Sequence, residues 1–478
     1  MRFHQSALLC AAFLSVAASS PVRAEGSVHQ TARAEFRGEV VVRVSPRSVA
    51  DVRALEALSD DRWTCGPTNS DGTMDYRISR DRLSALDSTQ IPYRIVVEDV
   101  QALIDLAEAE QYGPFENRAF FDAYPTYAQA SAYVDSLVAS YPQFATRISL
   151  GNSIQNRSIF ALRLTSPVPP RGSSTRKPVV LINSIQHARE WISLTSTLFV
   201  ATELLSGYAT DPIDRRILDE YEVVVVPIVN PDGYNITWTS NRLWRKNARV
   251  ISGSIRGVDL NRNWATGWGL SSGSSGSTTS DTYRGPSPFS EPESAALSGY
   301  INSIPKLVAH IDYHSFSQLI LRPWGYQFAN PPGRPWLDRI GNAMRSSILS
   351  ATGASYTYGG SDILYLASGV APDWTFSTTG AFAVTVELRD TGTNGFILPT
   401  SAIVPTGNDA YAAFTAMVTN LCLSDLNRDN VVDNGDFVLF ADAYATFVSA
   451  AGDVTGDGLT DNDDFVLFSD AYNQFTCP

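Results

Sequence analysis

The sequence predicts an α/β protein with one mixed central sheet and helices on both its faces. A small α+β domain precedes it and a small helical module follows. Three observations carry this reading. From about Tyr127 onward, apolar runs of strand length alternate with longer stretches of helical length, the pattern of a sheet covered on both sides. Two of those apolar runs end abruptly in polar side chains, where open α/β sheets collect their chemistry. Near the C-terminus an Asp-rich pattern repeats after 28 residues. With 478 residues, 44% of them hydrophobic, the chain is long enough for several domains and a large core.

Residues 1–24 carry Arg2, an apolar stretch from Ala7 to Ala18 and the small-x-small site Val22-Arg23-Ala24. That is a secretory signal peptide, too short for a membrane anchor, and it predicts an extracellular protein. No other run approaches bilayer length. Residues 25–118 form the small first domain. Gly38–Val44 reads as a strand rich in β-branched valines, and Ser48–Leu58 as a helix opened by a serine. Met74–Ile78 and Tyr93–Val97 are further strands, and Val100–Ala109 a helix.

Residues 119–421 form the main domain. A helix from Tyr127 to about Tyr141 is followed by strands Ile148–Gly151, Ser158–Leu164 and one starting at Val179. Helix Trp191–Leu205, strand Glu222–Val229, strand Leu307–Tyr313, helix Pro335–Leu349 and strand Ala383–Glu387 complete the alternation. The Gly/Ser/Thr run from Gly267 to Ser280 is expected to be a long surface loop.

The apolar run Val179–Ile182 leads into His187, Arg189 and Glu190. His187 and Glu190, three apart, can offer a ring nitrogen and a carboxylate oxygen to one metal ion, although this spacing also arises by chance. Histidine is scarce: the five are His4, His29, His187, His310 and His314, and the first two fall in segments expected to be removed. A catalytic zinc keeps three protein ligands and one open position. His314, where the second apolar strand turns polar, is the third candidate. His310 lies four residues back inside that strand and reads as a core histidine.

Net charge is −13, but from Ser424 onward there are eleven Asp, one Arg, no Glu and no Lys. The remainder is nearly balanced, which argues against nucleic-acid binding. Asp425, Asn427, Asp429, Asp433 and Asp436 stand at loop positions 1, 3, 5, 9 and 12 of the EF-hand spacing, and Asp453, Thr455, Asp457, Asp461 and Asp464 repeat them. Gly458 occupies position 6 of the second copy, and Asn430 that of the first. Two structural calcium ions are therefore expected within residues 422–478. The pair of loop–helix units resembles the dockerin module, which implies a cohesin-type protein partner. In a secreted chain the natural reading of Cys422 and Cys477, which bracket the module, is a disulfide, leaving Cys65 alone.

Six blocks, in order over roughly residues 120 to 420, extend the picture: His187-Ala-Arg-Glu-Trp, Asn230-Pro-Asp-Gly-Tyr, Asn241-Arg-Leu-Trp-Arg-Lys, Val258-Asp-Leu-Asn-Arg-Asn-Trp, His314-Ser-Phe-Ser-Gln and Glu387-Leu-Arg-Asp-Thr-Gly. Together they resemble the zinc carboxypeptidases of the pancreatic A and B type, in their secreted, pro-segment-bearing branch. The resemblance implies one catalytic zinc held by His187, Glu190 and His314, with hydrolysis of the C-terminal peptide bond of peptides or proteins. It implies Glu387 as general base, Arg245 as the cation for the developing oxyanion, and Asn261 with Arg262 as anchors for the substrate carboxylate. Tyr365 would close over substrate, Arg189 would touch it further upstream, and Asp259 would orient His187. The segment from Ile91 to Leu103 resembles the end of the family's pro-domain. This implies a zymogen cleaved in the connector Tyr112–Ala119, with Arg118 as the expected site.

By the same resemblance Leu321, Gly325, Gly360, Ala367, Val370, Pro372 and Thr385 line the specificity pocket. None is charged, so apolar or aromatic C-terminal residues are expected. Val370 for an expected Gly, Asp362 nearby, and Phe316 for a usual Tyr are departures that bear on this preference. The competing readings are a zinc peptidase of the same fold acting on cell-wall or basic-ended peptides, and a non-catalytic protein tethered by its tail. Asn261 and Arg262, which serve a free carboxylate, speak against the first. Glu387 and Arg245 speak against the second.

Overall fold

The structure is a computed structural model and describes residues 33–64, 72–111, 119–169, 176–270, 273–360, 366–421, 424–427, 432–446, 452–454 and 460–474. Its N-terminal lobe is an antiparallel sheet of β1 (Glu39–Val44), β2 (Asp61–Arg62), β3 (Met74–Ser79) and β4 (Tyr93–Val97), in the order β2-β3-β1-β4. Helices α1 (Val49–Leu58), α2 (Leu83–Ser88) and α3 (Val100–Gln111) pack on it. The Ser48 hydroxyl caps α1 by accepting the Asp51 N–H at 3.1 Å. Alternation along β1 divides its valines. Val40, Val42 and Val44 face Leu55, Tyr76 and Leu86 within the lobe, while Val41 faces the rest of the protein.

The main body holds an eight-stranded sheet in the order β13-β12-β14-β11-β7-β8-β6-β5. These strands are β5 (Ala145–Asn152), β6 (Ser158–Leu164), β7 (Val179–Ser184), β8 (Glu222–Val226), β11 (Leu307–Ser315), β12 (Leu319–Leu321), β13 (Thr357–Gly359) and β14 (Phe382–Leu388), with a separate hairpin of β9 (Val250–Ile251) and β10 (Ser254–Ile255). Strands β8, β7, β11 and β14 run parallel, and β7, β11 and β14 are buried along their whole length. Strands covered on both faces read as unbroken apolar runs, which is why the sequence showed them. Strand β8 stops three residues short of the expected Val229, because Pro227 has no N–H to offer the ladder.

The helices of the body are α4 (Tyr127–Ser140), α5 (Trp191–Gly207), α6 (Pro212–Glu220), α7 (Pro231–Thr239), α8 (Pro292–Ser303), α9 (Arg334–Thr352), α10 (Ala371–Thr379) and α11 (Ile403–Thr419). They leave one apolar cluster on each face of the sheet. Helix α5 is apolar almost all round because it is sandwiched between the sheet and α11.

Beyond the body, α12 (Asn434–Thr446) and α13 (Asn462–Gln474) pair through Phe440 and Phe468, equivalent residues of the repeat, whose rings stack at 4.6 Å. The Lys306 ammonium of the body donates to the Asp453 carbonyl. Among the described residues no helix is long and apolar enough to cross a membrane.

Candidate active site

Parallel strands deliver their carboxyl ends to one edge. Register pairs Tyr313 of β11 with Ser184 of β7, and His314 with Glu387 of β14. His187 sits in the turn leaving β7, Glu190 at the N-cap of α5, and His314 at the end of β11. His187 Nδ1 lies 2.9 Å from Glu190 Oε1, His314 Nδ1 lies 2.9 Å from Glu190 Oε2, and the two Nδ1 atoms are 2.9 Å apart. All three residues are buried, and among the described residues they form the group able to hold a metal ion.

The outer ring nitrogens fix the chemistry of the inner ones. His187 Nε2 is 3.0 Å from Asp259 Oδ1, and His314 Nε2 is 2.9 Å from Asp312 Oδ2. A carboxylate only accepts, so each Nε2 carries the proton and each Nδ1 turns a lone pair inward. Two such lone pairs and two carboxylate oxygens crowded within 2.9 Å repel one another unless a cation lies between them. This N₂O donor set suits zinc.

Glu387 closes the site from β14. Burial pushes its carboxyl up to about 8, with His314 and Arg245 pulling down and Glu190 pushing further up. Its Oε2 is buried with no hydrogen-bond partner among the described residues. Arg245 donates from Nη2 to Asp259 Oδ2 at 2.9 Å, and its Nη1 stands 3.9 Å from Glu190 Oε1. Asp259 therefore serves two masters, His187 and Arg245. Burial works to raise its pKa, but the Arg245 guanidinium and the His187 N–H overcome this and keep it well below the ordinary value.

Asp259 also caps the short turn Leu260–Arg262 by accepting the Asn261 N–H at 3.0 Å, which sets Asn261 and Arg262 beside the metal donors. Asn261 Oδ1 accepts the Ala371 N–H at 2.9 Å, leaving its Nδ2 3.2 Å from His314 Nε2. Arg262 donates from Nε to the Gly273 carbonyl at 2.6 Å and from Nη1 to the Asn261 carbonyl at 2.7 Å. The glycine- and serine-rich loop is thus part of the site wall and not only surface. A Cβ on Gly273, at φ 83°, would lie 2.0 Å from the Leu366 carbonyl oxygen. Arg245 and Arg262 share a cavity of about 650 Å³ with Asp61, Arg62 and Thr64 of the N-terminal lobe.

The expected pocket residues are not among those lining this cavity. Leu321 and Thr385 are cross-strand partners, Gly360 follows β13, and Pro372 lies in the first turn of α10. The Ala367 N–H donates to the Gly325 carbonyl at 2.7 Å, and a Cβ on Gly325 would meet Val370 at 3.4 Å. Tyr365 and Asp362 lie outside the described residues.

The N-terminal lobe packs beside the site. Arg189, expected to face substrate, instead donates to Asp61 Oδ2 at 2.5 Å and to the Arg62 carbonyl at 3.1 Å. Its guanidinium lies 4.0 Å from the centre of the Phe396 ring. Trp63 of the lobe is fully buried against Phe396, which in turn packs edge-on against Phe316. Arg43, paired through two 2.7 Å contacts with Asp75, reaches the Thr391 carbonyl.

Sequence reading missed Asp312. The signal was present, since residues two apart on a strand share a face, and Asp312 precedes His314 by two on β11. His310 behaves as a core residue: burial lowers its pKa to about 4, and its ring nitrogens are 2.9 Å from Thr375 Oγ1 and 2.5 Å from Asn183 Oδ1.

In the C-terminal repeat, Asp436 accepts the N–H groups of Asn427 at 2.9 Å and Asp433 at 3.0 Å, and Asp464 accepts that of Asp461 at 2.8 Å. Asp425, Asp436, Asp453 and Asp464 are buried. Asp429, Thr455, Asp457, Cys65, Cys422, Cys477 and Arg118 lie outside the described residues.

Sequence profiles match two parts of the chain: zinc carboxypeptidase over residues 130–413 and carboxypeptidase activation peptide over residues 42–107. Carboxypeptidase A1 of Rattus norvegicus is 33% identical over 401 residues, covering 80% of this chain and 94% of that protein. The crystal structure of thrombin activatable fibrinolysis inhibitor superposes with a TM-score of 0.71 at 26% identity, covering 81% of this chain and 99% of that one. Carboxypeptidase A of Helicoverpa armigera does so with a TM-score of 0.69 at 27% identity, covering 81% and 98%. Similarity of this extent, running through both the lobe and the body behind it, shows that the chain belongs to the zinc carboxypeptidase family and is a metallocarboxypeptidase made as a zymogen of the A/B type.

Proposed function

We propose that the processed enzyme, secreted and freed of residues 1–118, removes single apolar or aromatic residues from the free C-termini of peptides. The observation that carries this reading is the meeting, at one sheet edge, of three inward-facing metal donors, a partnerless Glu387 oxygen and two guanidinium groups. His187, Glu190 and His314 would hold zinc, which supplies a Lewis acid for the scissile carbonyl and acidifies water.

Arg262, with Asn261, receives the substrate α-carboxylate. A planar, permanently charged fork suits that group, and an internal peptide bond offers it nothing. The uncharged wall of Leu321, Gly325, Gly360, Ala367, Val370, Pro372 and Thr385 receives the side chain. Glu387, through Oε2, takes the proton of the attacking water and returns it to the leaving amine. Arg245, anchored on Asp259, stands ready for the negative charge that grows on the carbonyl oxygen. Tyr365 closes over the bound residue. Arg189 becomes available to upstream residues once Asp61 leaves with the lobe.

Residues 422–478 form a dockerin-like module that binds two calcium ions, is closed by a Cys422–Cys477 disulfide, and tethers the enzyme to a cohesin-type partner. The helix pair and the buried first and twelfth loop aspartates support this reading.

A panel of C-terminally varied peptides tests the activity, with the processed protein assayed with and without a zinc chelator. Peptides ending in Phe or Leu should lose one residue, C-terminally amidated ones none, and chelator should stop release. Faster turnover of peptides ending in Arg would overturn the apolar preference.

A further inference from the structure

The imidazoles at the metal site differ in what stands behind them. His187 is backed by Asp259, which is already committed to Arg245. His314 is backed by Asp312, whose carboxylate meets no arginine among the described residues. Asp312 is completely buried, and its oxygens are filled by amides: Oδ1 accepts from Asn183 Nδ2 at 2.7 Å, and Oδ2 from Gln186 Nε2 at 2.7 Å as well as from His314. Those amides are themselves held. Asn183 Oδ1 faces His310 Nε2 at 2.5 Å, and Gln186 Oε1 accepts the Trp264 indole N–H at 3.0 Å. A buried carboxylate with no cation is costly to keep unless it has a task, and here its third contact is a ring aimed at the metal donors.

We propose that Asp312 is a positioning residue for the metal: clamped by Asn183 and Gln186, it fixes the tautomer and ring plane of His314 and thereby sets how tightly and how long zinc is held. This rests on His187, Glu190 and His314 being the zinc site. Strand geometry makes the contact rigid. Asp312 and His314 share one face of β11, and Asn183 is the register partner of Asp312 on β7, so the clamp is built from sheet and not from loop. With the Nε2 proton pinned to Asp312, the Nδ1 lone pair cannot swap roles, and the electron-rich carboxylate makes that nitrogen a better donor. His310, four residues back on the same strand, is the far support of the clamp and needs no metal of its own.

The test is zinc competition against a metallochromic chelator, using the full chain, with dissociation followed after chelator excess. Cobalt(II) substitution adds a spectroscopic view of the ligand geometry. Asp312→Asn keeps the volume and removes the charge. It should weaken zinc binding roughly 10- to 100-fold, speed release, and alter the cobalt absorption bands. Gln186→Leu leaves Asp312 in place with one support gone and should weaken zinc several-fold, which keeps the test alive if Asp312→Asn does not fold. His314→Ala separates the two readings. If it abolishes zinc binding while Asp312→Asn and Gln186→Leu bind within twofold of the parent, the positioning role is overturned and the metal site stands. If His314→Ala holds zinc as the parent does, the metal site itself is wrong.

Discussion

Two regions of this molecule read as metal sites in the sequence, and they are built in opposite ways. The zinc-type donors come from residues 187 to 314, carried by two neighbouring strands and the start of a helix, and are backed by Asp259 and Asp312. The calcium-type ligands come from single runs of twelve residues, and several of those carboxylates are turned to backbone N–H groups, as Asp436 is to Asn427 and Asp433. A site assembled across a sheet inherits its shape from the core beneath it. A site within one loop takes its shape from the ion, so binding there is coupled to folding. The zinc end is therefore expected to tolerate loss of its metal without loss of shape, and the proposed calcium loops are not.

The strongest blow to the preformed site is Glu387→Gln. Peptidase kcat should fall by roughly 10²- to 10⁴-fold while zinc content stays that of the parent, read by steady-state assay and metal analysis of the same sample. Arg262→Ala should lower kcat/KM for free C-termini by roughly 10- to 100-fold, mostly through KM, and leave amidated peptides as poor as before.

The pH profile comes next, changing about tenfold per unit on its acid side. Glu387 must be ionised to act, and burial raises its carboxyl to about 8, so activity climbs with pH through that ionisation. A nearby dication lowers the midpoint below 8, and Glu387→Gln erases the limb.

The smallest effect on catalysis is expected at the other end. Asp436→Ala with Asp464→Ala should leave kcat/KM unchanged, abolish calcium uptake by titration, and remove the calcium-dependent rise in stability, about 2.7 kcal/mol per site at a hundredfold excess over Kd. A calcium-insensitive parent would erase the contrast between the two regions.

The same contrast explains what was legible. The parallel strands under the site are continuous apolar runs, and their ends could be found from composition alone. Two helices of the body were harder to see. Helix α10 is only nine residues long, and α11 carries Gly407 in its interior, a residue that locally argues against a helix. Gly407 is there for packing, since a Cβ would lie 2.5 Å from the Phe199 ring of α5. Asp312 escaped because its partner His314 lies at the strand period of two, where an aspartate reads as one more residue of the strand. Nothing local to Arg189 announces its contact with Asp61, which is 128 residues away.

The aromatic seam of Trp63, Phe316 and Phe396 has a cost for how this enzyme can evolve. In the proposed reading, the rings that hold the lobe's indole also form the floor over which the incoming chain later runs. A mutation that makes this floor greedier for apolar residues also strengthens the self-imposed silence of the precursor. Appetite and restraint are written in the same side chains, so neither can drift far without the other.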